Sequence, residues 1–253
     1  MTGRGISSIN PVAKLAAALL IAFTLAMSVD AVSAAVALVL EALLLPFVVP
    51  SWPAFWRRTA PVWIAAPLAA LTIALYGRAS GQVYLGWYFV QVTDGSLHLA
   101  LVTLLRVLAI GLPAVALFAT VDATDLADGL AQVLHLPARF VLGGLAAPRL
   151  AGLMREDWRA LELARRARGV ADRGRLRRFA GSGFALFVLS IRRGSALATA
   201  MEARGFGGTA VRSWARPSRF GWREVLVIAV GALVAGVAVL AAVETGQWAF
   251  IGG

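Results

Sequence analysis

No cysteine occurs in the sequence, so disulfides, thiolate metal sites and cysteine nucleophiles are excluded, and imidazole can come only from His98 and His135. Those two read as ordinary residues, one at the outer start of a span and one beside a proline turn, which gives no metal site and no cofactor. A Walker-type G-x-x-x-x-G-K-[ST] is missing as well, so the chain does not bind ATP through a P-loop. The cluster Gly205-Phe206-Gly207-Gly208 follows a helical pattern instead of preceding one and reads as a helix stop, not a phosphate cradle. Charge is scarce: 15% of residues are charged and 60% hydrophobic, where a soluble domain has about 25% charged. This is an all-α, polytopic membrane composition. The formal charge of +11 would suggest nucleic acid in a soluble protein. Here it has to be set against where a membrane protein keeps its basic residues, and no nucleic-acid partner is expected.

What the chain does have is long apolar runs. Five are near the roughly 20 residues a helix needs to cross the bilayer: Val12 to Val29, Ala31 to Pro50, Pro61 to Tyr76, Leu97 to Val121 and Val225 to Val243. Asp30 alone separates the first two, which predicts a tight helical hairpin. Tyr84 to Val92 (YLGWYFVQV) is too short to span and rich in aromatics, as an interfacial or re-entrant segment would be. No small-residue cleavage pattern follows the first run, and Ala31 continues into more membrane, so it is not read as a removable signal peptide. Three regions are expected: spans over 1–121, a cytoplasmic region over 122–223 and a last span over 224–253.

The basic residues set the orientation. With the amino terminus inside, the cytoplasmic segments hold Arg4 and Lys14, then Arg57 and Arg58 in the Ser51 to Ala60 loop, then eighteen arginines between Asp122 and Arg223. Only Arg78 remains outside, and Arg106 lies in the fourth span. Short loops carry this rule, so the first two segments decide and the long region agrees. The carboxyl terminus is then external.

The region from Asp122 still folds. Asp122 or Thr124 can cap a helix with Asp125 and Asp128 near its positive end, closing at His135-Leu136-Pro137. After Pro148, the positions Leu150, Leu153, Met154, Trp158 and Leu161 form one apolar stripe opposite Arg149, Arg155, Glu156 and Arg159. Arg173, Arg175, Arg177 and Arg178 mark a linker, and a second helix is expected over Phe184 to Met201. Both helices end on the same A-x-x-A-R-G pattern: Ala164, Ala167, Arg168 and Gly169, then Ala200, Ala203, Arg204 and Gly205, with Glu202 inside the second copy. The alanines leave a shallow face, the arginine sits where the helix dipole favours a cation, and the glycine can take the left-handed cap. Such an end fits a groove in a partner. An arginine-rich loop lying on anionic lipid needs charge but no fixed alanine and glycine spacing.

This order of spans, a leucine-rich helix closing on Leu134-His135-Leu136-Pro137, a helix near Pro148-Arg149-Leu150 with Glu156 inside it, two A-R-G motifs and a last span resembles the transmembrane T component of energy-coupling factor (ECF) transporters, a family with cobalt, nickel and vitamin importers. The likeness is most specific from Thr124 to Phe206. It implies that the two A-R-G helices are coupling helices seated in grooves of two ABC ATPase subunits, with Arg168 and Arg204 as coupling arginines, and that a small membrane S protein binds the substrate. ATP-driven closure of the ATPases would then move both helices. Each seated arginine would contribute about 1.5 to 3 kcal/mol as a charged hydrogen bond. The extra Arg165 and Arg166 make the first motif more basic than the second. An ordinary ABC importer permease would have one docking loop, and a membrane enzyme acting on a lipid-linked substrate would need clustered acids or histidines near one face.

Two ionisable groups lie inside spans, where they are costly and usually face a partner. Glu41 is ten residues past Ala31 and Arg106 nine past Leu97, so both lie about 15 Å from the outer surface. Equal depth predicts an intramembrane ion pair; the alternative is a snorkelling Arg106 and a Glu41 that is neutral or wetted by a groove. Pro113 is a candidate kink, and Gly231, Ala235 and Gly236 are candidates for close helix contact.

Overall fold

A computed structural model of the chain describes residues 8–49, 51–78, 80–87, 90–169, 174–208, 213–214 and 216–248. Arg4, Pro50 and Arg173 of the expectations above lie outside them. Eight helices and one two-stranded hairpin occur among the described residues, divided between two compact units, one of Met1–Leu126 with Ser218–Gly253 and the other of Ala127–Pro217.

In the first unit, local chemistry sets the helix ends. The Asn10 side chain accepts from the Val12 N–H at 3.0 Å and starts α1 (Pro11–Ala26), and Asp30 accepts from the Ser33 N–H at 2.6 Å and starts α2 (Ala31–Val48). The turn at Asp30 is therefore the expected hairpin. α3 (Trp52–Tyr76) corrects the third span: the Ser51 to Ala60 segment is not a loop, because Trp52-Pro53 puts proline in the first helical turn, where its missing N–H costs nothing. Pro61 and Pro67 lie inside that helix without ending it. Across the YLGWYFVQV segment, β1 (Val83–Trp87) and β2 (Val90–Thr93) pair antiparallel, while Tyr88 and Phe89 lie outside the described residues. Thr93 and Ser96 then form a reciprocal capping box for α4 (Asp94–Phe118). α8 (Trp222–Glu244) is the last element.

α4 packs against α1, α2 and α3, and α8 against α1 and α2. Ile21, Leu25, Ala37, Ala109, Val234 and Ala238 form one core and Phe55, Ala66, Leu108, Leu112 and Ala116 another. Small residues set the spacing: a Cβ on Gly231 would fall 2.9 Å from that of Ala17. Ala235 is buried as well, but Gly236 is exposed with open space around it, so it makes no close contact. The outward faces carry Phe23, Leu43, Phe47, Ile64 and Leu68, as a bundle solvated by lipid would.

Among the described residues, five helices are long and apolar enough to cross a membrane: α2, α3, α4, α8 and the stretch Phe179–Ala203. This differs from the expected five at two points. α1 has only 16 residues, about 24 Å of helix, yet it packs inside the bundle against α4 and α8. The coupling helix expected over Phe184 to Met201 lies within Phe179–Ala203, and Arg192 and Arg193 near its middle are residues a span avoids.

α5 (Ala123–Gln132) begins in the first unit and ends in the second; the Thr124 N–H donates to Asp122 at 2.7 Å, so Asp122 is its cap. In the second unit α6 (Ala138–Ala167) runs through Pro148, correcting the expected start there, and α7 (Arg175–Ala203) begins earlier than Phe184, absorbing Arg175, Arg177 and Arg178 from the expected linker.

Candidate functional site

The two A-x-x-A-R-G copies close the two longest helices of the second unit in the same way. Arg168 is the C-cap of α6, and Gly169 follows at φ +69° with its N–H donating to the Arg166 carbonyl at 3.0 Å. Arg204 is the C-cap of α7, and Gly205 follows at φ +79°. There the Gly205 N–H donates to Glu202 at 2.8 Å and the Phe206 N–H to Met201 at 2.9 Å, the paired bonds of a Schellman stop. A side chain with a Cβ is strained at these angles, so the glycines are fixed by the backbone. Ala164, Ala167, Arg168 and Gly169 are exposed, as are Ala200, Glu202, Ala203, Arg204 and Gly205. Each motif is therefore a blunt helix end with small residues on its side and a guanidinium at its tip.

α6 and α7 pack on each other through polar and aromatic contacts that the spacing did not reveal. Arg193 forms a two-pronged ion pair with Asp157, Nη1 to Oδ2 and Nη2 to Oδ1, the latter at 2.9 Å. The rings of Trp158 and Phe179 lie 5.5 Å apart, and the Arg165 guanidinium lies beside Gly181. Going from Asp157 to Arg165 along α6 thus corresponds to going back from Arg193 to Gly181 along α7, so the C-terminal arms of the two helices point in opposite directions. Leu176, Phe184, Phe187 and Ile191 share one face of α7, away from the Ser182 and Arg193 side, and all four are exposed.

The bundle holds both points at which the chain leaves it. The Lys14 Nζ, buried in α1, donates to the Thr120 hydroxyl at 2.8 Å, and the Arg58 Nη1 donates to the Ala119 carbonyl at 2.5 Å. The turn after α4 is thereby tied to α1 and α3. At the return, Asn10 donates through Nδ2 to the Ser218 hydroxyl at 2.8 Å and to the Arg219 carbonyl at 3.0 Å, and its N–H to Glu224 at 3.2 Å. Glu224 also accepts from the Gly221 N–H at 2.9 Å. In the sequence Lys14 and Arg58 counted only as topology signals, and nothing marked Asn10; a polar residue one turn inside an apolar run, with its partner a hundred residues away, leaves no local signal.

The expected ion pair of Glu41 and Arg106 is not formed. Neither carboxyl oxygen of Glu41 has a hydrogen-bond partner, nor does Nη2 of Arg106. Equal depth predicts the pair, but depth does not fix the helical face, and α4 starts at Asp94 and not at Leu97. Glu41 faces a cleft among α1, α2, α4 and α8 that Pro113 also lines.

The profile of the cobalt transport protein family (CbiQ) matches residues 3–214. An energy-coupling factor transporter transmembrane protein, EcfT, of Limosilactobacillus fermentum (strain CECT 5716 / Lc40) is 27% identical over 195 residues, covering 70% of this chain and 72% of the relative. Its counterpart in Brevibacillus brevis (strain 47) is 29% identical over 187 residues, covering 69% and 70%.

Proposed function

Because this chain belongs to the cobalt transport protein family and is the transmembrane T component of an energy-coupling factor transporter, we propose that it works without catalysis, as a scaffold that passes motion from two separate ABC ATPase subunits to a small membrane S protein. The observation that carries this reading is the pair of exposed arginine tips, Arg168 and Arg204, each set by a left-handed glycine at the end of a long helix. One tip seats in each ATPase. The 29 residues of α7 extend about 40 Å, enough to hold the two docking points on different subunits, which a single docking loop of an ordinary importer permease does not do. The exposed stripe of Leu176, Phe184, Phe187 and Ile191 supports contact with an apolar membrane partner. A transition-metal ion or a vitamin, held by that partner, is the substrate class.

The test is the double change Arg168→Ala and Arg204→Ala in the complex reconstituted in vesicles. ATP-driven uptake falls to background while the protein still inserts; normal uptake with wild-type recovery of the ATPases refutes the reading. The same proposal puts the amino terminus and residues 122–223 in the cytoplasm and the carboxyl terminus outside, in the cell membrane. In the cysteine-free background, an impermeant thiol reagent added outside then labels Gly252→Cys and not Arg175→Cys, and the reverse pattern overturns the orientation.

A further inference from the structure

Glu41 is 5% exposed and neither of its carboxyl oxygens meets a partner in the chain. It lies on the wall of a cleft of about 280 Å³ formed by α1, α2, α4 and α8, and every other residue lining that cleft is apolar, among them Ile21, Leu45, Ala116, Leu117 and Val230. Whatever its protonation state, a carboxyl in hydrocarbon costs free energy until a hydrogen-bonding group meets it. The volume is about nine times that of a water molecule in the liquid, and walls with one polar side chain cannot give a cluster of waters the several hydrogen bonds each needs. The occupant these walls select has a hydrocarbon body and a single polar group. The way in is marked by Phe47 and Leu226, which line the cleft and are 80% and 51% exposed on the outside of the bundle, where the bilayer lies.

We propose that this cleft binds a small lipophilic molecule bearing one hydroxyl or amide, which enters from the bilayer past Phe47 and Leu226 and hydrogen-bonds Glu41 at its inner end. A hydroxyl or amide is favoured because each offers both a donor and an acceptor, the complement of a carboxyl group. The site is a property of the bundle and does not depend on the coupling role of Arg168 and Arg204, so the two readings can fail separately.

The probe is a diazirine-tagged octanol, photolysed with the full chain in lipid nanodiscs, its adducts mapped by peptide mass spectrometry. Adducts at residue 41 are excluded from the count, because a carboxyl traps carbenes whether or not the alcohol is bound. Labelling is expected to concentrate on the cleft-lining stretches of α2, α4 and α8, and to be competed by 1-octanol at a concentration at least about tenfold below that of n-octane, since one hydrogen bond to a charged or acidic group contributes about 1.5 kcal/mol or more. Glu41→Leu, which removes the polar group but keeps the volume, should lower cleft labelling about tenfold, and Glu41→Gln should retain it within about threefold. Ala116→Phe, which fills the cleft and leaves Glu41 in place, should abolish it. Adducts spread over all lipid-facing helices in proportion to exposure, equal competition by octane, or unchanged cleft labelling in Glu41→Leu each overturn the proposal.

Discussion

The bundle is built from helices of 16 to 25 residues and the α6–α7 pair from helices of 30 and 29, and the two keep their polar residues in opposite places. In the bundle, polar side chains are turned inward and used: Lys14, Asp30, Ser33, Thr93 and Ser96 are buried, and most of their atoms close helix ends or tie down turns. In the α6–α7 pair, Ser182 is the buried polar residue among those described, while the motif residues and a row of large apolar side chains face outward. In the proposed function, this apolar surface tipped with exposed guanidiniums is the one that other proteins cover. The difference separates stability from work: bundle polar groups should matter to folding and motif groups to coupling.

That separation can be broken most decisively by the double arginine variant, whose loss of uptake should come with no change in thermal stability of the isolated chain beyond about 0.5 kcal/mol, the usual range for exposed substitutions. A large drop in melting temperature would mean that the motifs hold the fold. The next largest effect is expected from Lys14→Met, which keeps the volume but removes the donor to Thr120. It should cost about 1 to 3 kcal/mol, a melting shift of about 2 to 4 °C for each kcal/mol in a chain of this size, and no shift would show that the turn after α4 needs no tie. Gly205→Ala, at φ +79°, should cost about 1 to 2 kcal/mol locally. Faster hydrogen exchange at the Gly205 and Phe206 amides would report it, and unchanged protection would exclude a strained cap.

The smallest effect concerns Asp157 and Arg193, which are 19% and 39% exposed. A double-mutant cycle on these two should give a coupling of at most about 1 kcal/mol in stability, because partly solvated pairs are screened. A coupling several times larger would move the pair from surface contact to structural keystone.

The sequence showed the parts of this molecule that depend on runs and repeats. Apolar length located α2, α4 and α8 within a few residues, and the glycine after each arginine marked the ends of α6 and α7, because a left-handed stop is a local event. What escaped depends on which groups meet. Pro148 was read as a start, although a long helix tolerates one proline at the loss of one hydrogen bond. The segment before Pro61 was read as loop because Arg57 and Arg58 break its hydropathy, yet the backbone there is helical. The hairpin of β1 and β2 was read only as an interfacial or re-entrant piece, since nine aromatic-rich residues do not disclose their pairing. Matching Glu41 and Arg106 by depth is blind to the turn of the helix, which puts Glu41 on the wall of a cleft that Arg106 does not line.

The ion pair between α6 and α7 has a position as well as a strength. Arg168 lies 11 residues beyond Asp157, and Arg204 lies 11 beyond Arg193, so each guanidinium tip stands about 16 Å along its own helix from its helix's member of the ion pair. The ion pair therefore stands at the same remove from both tips, so equal forces on the tips would load it equally. If the two tips seat in two ATPase subunits, as proposed, a symmetric closure of those subunits would load the two arms alike. Inserting one helical turn into either arm would unbalance that loading while leaving both motifs intact.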